Sequence, residues 1–503
     1  MVRRKDNGRG ASLDDAGTGP RRRPPGRECA GHSGGVLAGQ EKIKKQGSLV
    51  TRRRRNIRIL FGIWAAGFLA LVVGGAFAVY DVRTTASATI APAPAPVVAD
   101  PAVAPVADDA PAPVPAALAA ALDAAVKNPA LGSFTGSVTD AATGTVLWSQ
   151  DPDRPMTPAS TTKILTTAAA LLGLPSDHRI TTRVVEGSRP GEIVLVAGGD
   201  PTLTAQPVGE DGFYPGGPRI ADLAQQIQRS GAVVDTVVVD VGIFSGDPLA
   251  VGWDATDVGD GFVAPIEPVM LDGGRLRPLE DESPRSATPA LDAGRALAAA
   301  LGADPEKVTI GTASPGTAPM ASVQSAPLRT RLEQMVQHSD NVLAETIGRE
   351  IAISSGSAPT FTGAVEAVTR TLQGAGIDTS GVTLQDLSGL SLDNRIPARV
   401  LDSIVARAAG PDAPALRPML DYLPVAGATG TLSDRYGTTA RAGAGWVRAK
   451  TGTLSLVSGL TGYVVDVDGR VLTFALMSND RFPNEARPAL DDVAAVLRGC
   501  GCR

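Results

Sequence analysis

A mixed α/β (α+β) body, carried outside the cytoplasm behind an N-terminal transmembrane helix, is the fold class that this 503-residue sequence predicts. Three observations carry that expectation. Ile59–Tyr80 runs without a charge directly behind Arg52–Arg55 and Arg58, long enough to span a bilayer. Helical and strand-like periodicities alternate from residue 116 onward. Close to the C-terminus, two β-rich runs flank Asp466-Val467-Asp468-Gly469, a hairpin signal in an antiparallel sheet.

The charge distribution narrows the function classes. The formal net charge is -5, yet residues 1–58 hold 16 Lys+Arg against 5 Asp+Glu, so everything after them is strongly acidic. An acidic globular part argues against nucleic-acid binding. Cysteine and histidine are scarce, at three each, and neither an HExxH nor a paired CxxC occurs. A zinc hydrolase therefore finds no ligand set here. Cys500 and Cys502 stand one residue apart, either bridged at a cost in strain or free thiols.

Taken in order, residues 1–58 read as a disordered basic cytoplasmic tail, rich in Gly, Arg and Ser. The basic residues ahead of 59–80 orient this transmembrane signal-anchor with the remaining chain outside. Ala76-Phe77-Ala78 keeps cleavage as a signal peptide open beside retention as an anchor. Residues 81–115 contain eight prolines in an Ala/Val background, an extended linker. Ala116–Val126 then reads as a helix, and Phe134–Thr139 and Thr145–Gln150 as strands.

Ser160-Thr161-Thr162-Lys163 opens an apolar helical run to Leu172. The i,i+3 spacing sets a hydroxyl and an amine on adjacent turns, and partial burial would lower the lysine pKa enough for it to take the serine proton. A capping serine and a snorkelling lysine are the plainer alternative. Lysine is rare after residue 58, at Lys127, Lys163, Lys307 and Lys450, against 27 arginines. Arginine cannot serve as a base, so each of these lysines stands out.

His338-Ser339-Asp340-Asn341 forms a turn between helical patterns at Leu328–Val336 and Val342–Ile351. Ser339 could relay a proton and Asn341 could fix a substrate amide, or the segment could simply cap a helix. A Ser-His-Asp triad on His338 is disfavoured, because sequence neighbours point apart. Lys450-Thr451-Gly452-Thr453 lies on or beside a strand, where a cation, a hydroxyl and a bare Gly can hold an extended peptide and its carboxylate; an ordinary strand with a turn glycine is the alternative.

Together, Ser160-x-x-Lys163, Ser339-Asp340-Asn341 and Lys450-Thr451-Gly452 resemble the motif trio of penicillin-binding proteins and serine β-lactamases. The long separation of Ser339 from Ser160, too great for a compact β-lactamase, is similar to that in the class C low-molecular-mass penicillin-binding proteins of the penicillin-binding-protein-4 type. These D-alanyl-D-alanine carboxypeptidases/endopeptidases carry an inserted domain between the motifs. Leu195–Leu203, Asp386–Ser391 with Asn394-Arg395, and Leu423–Gly427 agree with that family.

The resemblance implies a transpeptidase-like catalytic domain, an antiparallel sheet between helices, built from 116–184 and 326–503. A smaller mixed domain over 185–325 is inserted, with strands at Glu192–Val196 and Val233–Val241 and a helix at Ile220–Arg229. It implies Ser160 as nucleophile, Lys163 as base, and Ser339 and Lys450 as the proton path to the leaving nitrogen. Asn341, Thr451, Gly452 and Thr453 would bind substrate, with the backbone amides of Ser160 and Thr453 as oxyanion hole. Peptidoglycan stem peptides and β-lactams are the implied partners, at the cell envelope, with no cofactor. A β-lactamase and a non-catalytic penicillin-sensing scaffold are the alternatives. The sequence leaves carboxypeptidase against endopeptidase preference and the oligomeric state open.

Overall fold

The computed structural model describes residues 109–501. The expected tail, the membrane span and all of the linker before Asp109 lie outside the described residues. Among the described residues, no helix is long and apolar enough to cross a membrane.

The linker expected to run to 115 is already bound to the body at Ala110. That residue is buried, and its carbonyl accepts a 2.9 Å hydrogen bond from Arg470, which also pairs with Asp140. Helix α1 (Pro115–Val126) follows, started by a proline at its first turn and burying Leu118 and Leu122 one turn apart. It leads into β1 (Ser133–Asp140) and β2 (Val146–Gln150), and a 3₁₀ turn at Ala159–Thr162 feeds α2 (Lys163–Gly173).

The chain then leaves to build a separate mixed sheet. Its strands are β3 (Thr181–Glu186), β4 (Glu192–Val196), β5 (Thr236–Asp240), β6 (Thr309–Gly311) and β7 (Pro319–Gln324), interrupted by α3 (Ile220–Arg229) and α4 (Pro289–Leu301). The order is β7-β3-β4-β5-β6, with the β4–β5 and β5–β6 pairs parallel. Leu223, Ile227 and Leu297 from the two helices share a core with Val237 and Val239. The first strand opens at Thr181, ahead of the expected edge at 185. One of its inward positions is Thr182, a polar residue that a hydrophobic pattern does not score. Strand β5 is shorter than the expected Val233–Val241 at both ends, and Val233 faces solvent.

On return, the chain forms α5 (Leu328–Gln337), α6 (Asn341–Ser354), α7 (Phe361–Gly374) and α8 (Ala398–Ala409). It ends with β8 (Arg448–Leu454), β9 (Val457–Val465), β10 (Val471–Asn479) and α9 (Pro483–Gly499). These strands join β1 and β2 in a five-stranded, wholly antiparallel sheet of order β8-β9-β10-β1-β2. β1 and β10 pair from Ser133↔Asn479 to Asp140↔Leu472, so the sheet unites both ends of the described chain.

Alternation across the pleat divides the sheet's faces. Phe134, Val138, Phe474 and Leu476 pack with Leu118, Leu122, Leu490 and Val493 of α1 and α9. Ala475 and Met477 face the opposite way, into the helical core of α2, α6 and α8. On that second face the buried Asp402 of α8 accepts hydrogen bonds from Ser137, Thr139 and Thr473 at 2.6–2.7 Å, tying helix to sheet. Cys500, just past α9, is disulfide-bonded.

Candidate active site

Ser160 sits in the 3₁₀ turn that opens α2, and the i,i+3 geometry brings Lys163 Nζ to 3.0 Å from its Oγ. Lys163 is fully buried, and its ammonium also donates to Asn341 Oδ1 and to the Ser388 carbonyl, each at 2.7 Å. Burial drives its pKa from 10.5 down to about 8, against the opposing pull of Asp386, Glu345 and Asp340.

Two close approaches hold the serine turn in place. A Cβ on Gly452 of β8 would lie 2.6 Å from the Pro158 carbonyl, so the bare strand can press against the turn. Gly389, at φ +85°, packs its α-carbon onto Ala159, where a Cβ would fall 1.9 Å from the carbonyl oxygen. Ala159 itself takes φ +48°, one residue before the candidate nucleophile. Ser339 takes φ +58°, so the residue before one serine and the other serine itself adopt backbone that a non-glycine residue rarely takes.

Strand β8 brings Lys450 to Ser339, with Nζ donating to the Ser339 hydroxyl at 2.9 Å and to the Thr451 carbonyl at 2.8 Å. Burial, then the positive charge of Lys163, pushes Lys450 well below its ordinary value. Thr451 Oγ1 donates to Thr431 Oγ1 at 2.7 Å. Asn341 starts α6, its Oδ1 on Lys163 and its Nδ2 donating to the Phe262 carbonyl of the insert at 3.0 Å.

The central residue of Ser339-Asp340-Asn341 looks the other way. Asp340 caps α6 through Leu343 N and accepts from Tyr214 OH at 2.8 Å and Arg275 Nη2 at 3.2 Å, both from the insert. Burial alone would raise its pKa, but Arg275 and Arg285 hold it at about 2. His338 turns toward Asp281 rather than Ser160, whose hydroxyl is met by Lys163 instead.

Ser160, Ser339, Asn341, Thr451 and Thr453 all line one cleft of about 630 Å³, with Lys163 and Lys450 buried beneath its floor. Phe262, Asp281 and Arg285 of the insert form one wall; Thr431, Arg435 and Arg487 lie on another part of the lining. Arg487 Nε reaches Thr453 Oγ1 at 3.3 Å. The sequence reading thus named side chains that come together, and it missed the Ser388 carbonyl, Glu345 and Thr431. The first is a backbone atom that any residue supplies. For Glu345 the available signal was its place one helical turn beyond Asn341, on the same face as that residue; Thr431 carried no signal.

Comparisons with known proteins agree in direction. The chain matches the D-Ala-D-Ala carboxypeptidase 3 (S13) family over residues 118–283 and 277–497. It is 52% identical over 456 residues to carboxypeptidase DacB of Mycolicibacterium smegmatis, covering 90% of this chain and 99% of that one. A D-alanyl-D-alanine carboxypeptidase of Actinomadura is 30% identical over 452 residues, covering 74% and 82%. Penicillin binding protein 4 from Haemophilus influenzae shares the fold, with a TM-score of 0.62 at 21% identity over 74% of this chain and 97% of that one. With matched residues spanning nearly all of the body that carries Ser160, Ser339 and Lys450, the chain belongs to the D-Ala-D-Ala carboxypeptidase 3 (S13) family.

Proposed function

We propose that the chain is a serine D-Ala-D-Ala carboxypeptidase that acts on peptidoglycan stem peptides through an acyl-enzyme on Ser160. The observation that carries the residue assignment is the 3.0 Å contact of Ser160 Oγ with a lysine amine wholly removed from water. With Lys163 neutral, that hydrogen bond reverses and Ser160 donates to Nζ. Lys163 takes the proton as Oγ attacks the carbonyl of the penultimate D-Ala, and the backbone amides of Ser160 and Thr453 receive the developing oxyanion. As the C–N bond breaks, Ser339 protonates the departing D-Ala nitrogen and is resupplied from Lys450, 2.9 Å away. The proton that Lys163 took from Ser160 passes on to Lys450, which leaves Lys163 neutral again; water then attacks the ester and gives a proton to Lys163, and Lys163 returns it to Ser160 Oγ as the ester C–O bond breaks.

Asn341, Thr451, Gly452 and Thr453 are read as the substrate-binding residues, with Thr451 and the Lys450 charge holding the terminal carboxylate. β-Lactams acylate the same serine on this reading; penicillin binding protein 4 from Haemophilus influenzae has been seen in complex with such a compound. Residues 59–80 tether the enzyme at the envelope with its catalytic part outside, the basic tail inside, and 185–325 as an inserted domain. The test is intact mass of the full chain after mixing with benzylpenicillin, beside Ser160→Ala, with D-Ala release measured on a stem pentapeptide. An adduct and D-Ala release in wild type alone are expected. An equal adduct on Ser160→Ala would remove the nucleophile assignment, and penicilloate turnover without D-Ala release would favour a β-lactamase.

A further inference from the structure

A neutral lysine amine has two N–H bonds and one lone pair, and it acts as a base on a hydroxyl only when that lone pair points there. Its two hydrogens must therefore be taken by acceptors elsewhere. In this site the acceptors are Asn341 Oδ1 and the Ser388 carbonyl, each 2.7 Å from Lys163 Nζ, leaving the Ser160 direction for the lone pair. Asn341 is the first residue of α6. The second acceptor is a carbonyl in the loop Asp386–Ser391, and its position depends on what fixes that loop.

Glu345 lies one helical turn beyond Asn341 on the same face of α6. It is completely buried, and its Oε1 accepts the backbone amides of Leu387 at 3.0 Å and Ser388 at 2.7 Å. Asp386 holds the rest of the loop through the amides of Gly389 and Ser391, at 2.8 and 2.7 Å. Among the described residues, Glu345 Oε2 accepts no hydrogen bond. A carboxylate buried with one idle oxygen is costly to keep for loop closure alone, since a neutral amide would close the same two bonds.

We infer that Glu345 is a positioning residue for the general base: it holds the Ser388 carbonyl against Lys163 so that the amine's lone pair is aimed at Ser160. One helix then supplies both constraints on Lys163, Asn341 directly and Glu345 through the loop. Glu345 also acts through charge. The groups facing Lys163 are Asp386, Glu345 and Asp340, which favour its ammonium, and Lys450 on the opposite strand; those facing Glu345 itself are Asp386 and Arg349. Burial and the Asp386 charge raise Glu345 to about 7, so its own ionisation falls in the working range.

This inference rests on the assignment of Ser160 and Lys163 above, and the experiment separates the two. Full-length wild type, Glu345→Gln and Glu345→Met are compared for the second-order rate of benzylpenicillin acylation from pH 5 to 9, by intact mass. KM and kcat are measured for D-Ala release. Gln keeps an oxygen for the two amides and removes the charge; Met keeps the volume and removes both. Glu345→Met is expected to acylate at least tenfold more slowly, chiefly through kcat, and Glu345→Gln to recover most of that rate. Without the Glu345 charge the Lys163 ammonium loses a stabilising partner, so the acid limb of the Glu345→Gln profile moves to lower pH. Wild-type rates in Glu345→Met, or an acid limb unmoved in Glu345→Gln, would overturn the inference. The isosteric Gln variant decides the matter if Met impairs folding. An unacylated wild type would instead strike at the Ser160 reading itself.

Discussion

On the base role proposed above, Lys163 places chemistry and stability in opposition at a single residue. Its native pKa lies at about 8, while the unfolded side chain keeps 10.5. Between those values the unfolded chain binds more protons, so this group makes stability rise with pH across that window. Below about 8 the lysine is charged in both states and the burial penalty is present in full, on the order of 3 kcal/mol. Lys163→Met replaces the ammonium with an apolar chain of similar length. It is expected to abolish acylation and yet melt above wild type at neutral pH, with the difference shrinking as pH rises from about 8 toward 10.5. Calorimetry of both proteins across pH checks this, and a variant that melts lower at neutral pH would mean that the lysine's three hydrogen bonds outweigh its desolvation.

At the scale of elements, the loop Asp386–Ser391 is the piece on which the serine turn leans. Gly389→Ala would need φ +85° and a Cβ 1.9 Å from the Ala159 carbonyl, so turn or loop must move. The expected cost is about 2–4 kcal/mol of stability with at least a tenfold loss of acylation. Gly374→Ala, with open space at the end of α7, should change neither by much. Denaturant unfolding and acylation rates on the two variants decide it.

The same loop was legible as a stretch, through its likeness to the family, but its contacts were not. Helices α3, α5 and α6 and strands β1, β4, β9 and β10 were legible because their apolar positions recur with the helical period or alternate with the strand's. Ser160 with Lys163, and Lys450 with its neighbours, were legible because a motif is read from side-chain identity and spacing, which the sequence prints directly. Ser388 meets Lys163 through a carbonyl common to every residue type, and Thr182 fills a core position with a hydroxyl. The opposite face of Asp340 was hidden for another reason: its partners, Tyr214 and Arg275, come from the insert, far back along the chain, and no local pattern points to them.

At the scale of the molecule, the insert is fastened to the motif that carries the second serine. Arg275 is buried, stacks its guanidinium 3.3 Å above the Phe213 ring, and pairs with Asp340, itself nearly without solvent. Arg275→Met leaves that carboxylate buried without its cation and should cost about 3–5 kcal/mol. The nearby Arg277→Ala removes only an exposed pair with Glu280 and should cost less than about 0.5 kcal/mol. Because Asp340 adjoins Ser339, the Arg275 variant should also slow D-Ala release, measured on protein still folded at low temperature. Equal stability of the two variants would show that the insert is fastened elsewhere.

The pairing of β1 with β10 has a consequence in time. A chain emerging N-terminus first presents Ser160 and Lys163 early, but Lys450 and the strand that presses on the serine turn belong to its last stretch. Contacts so distant in sequence close slowly and late. On the Ser160 and Lys450 roles proposed above, the nascent protein is expected to stay inert for most of its synthesis, because the order of its strands brings Lys450 last. Acylation by benzylpenicillin is expected only once the final strand has docked beside the first.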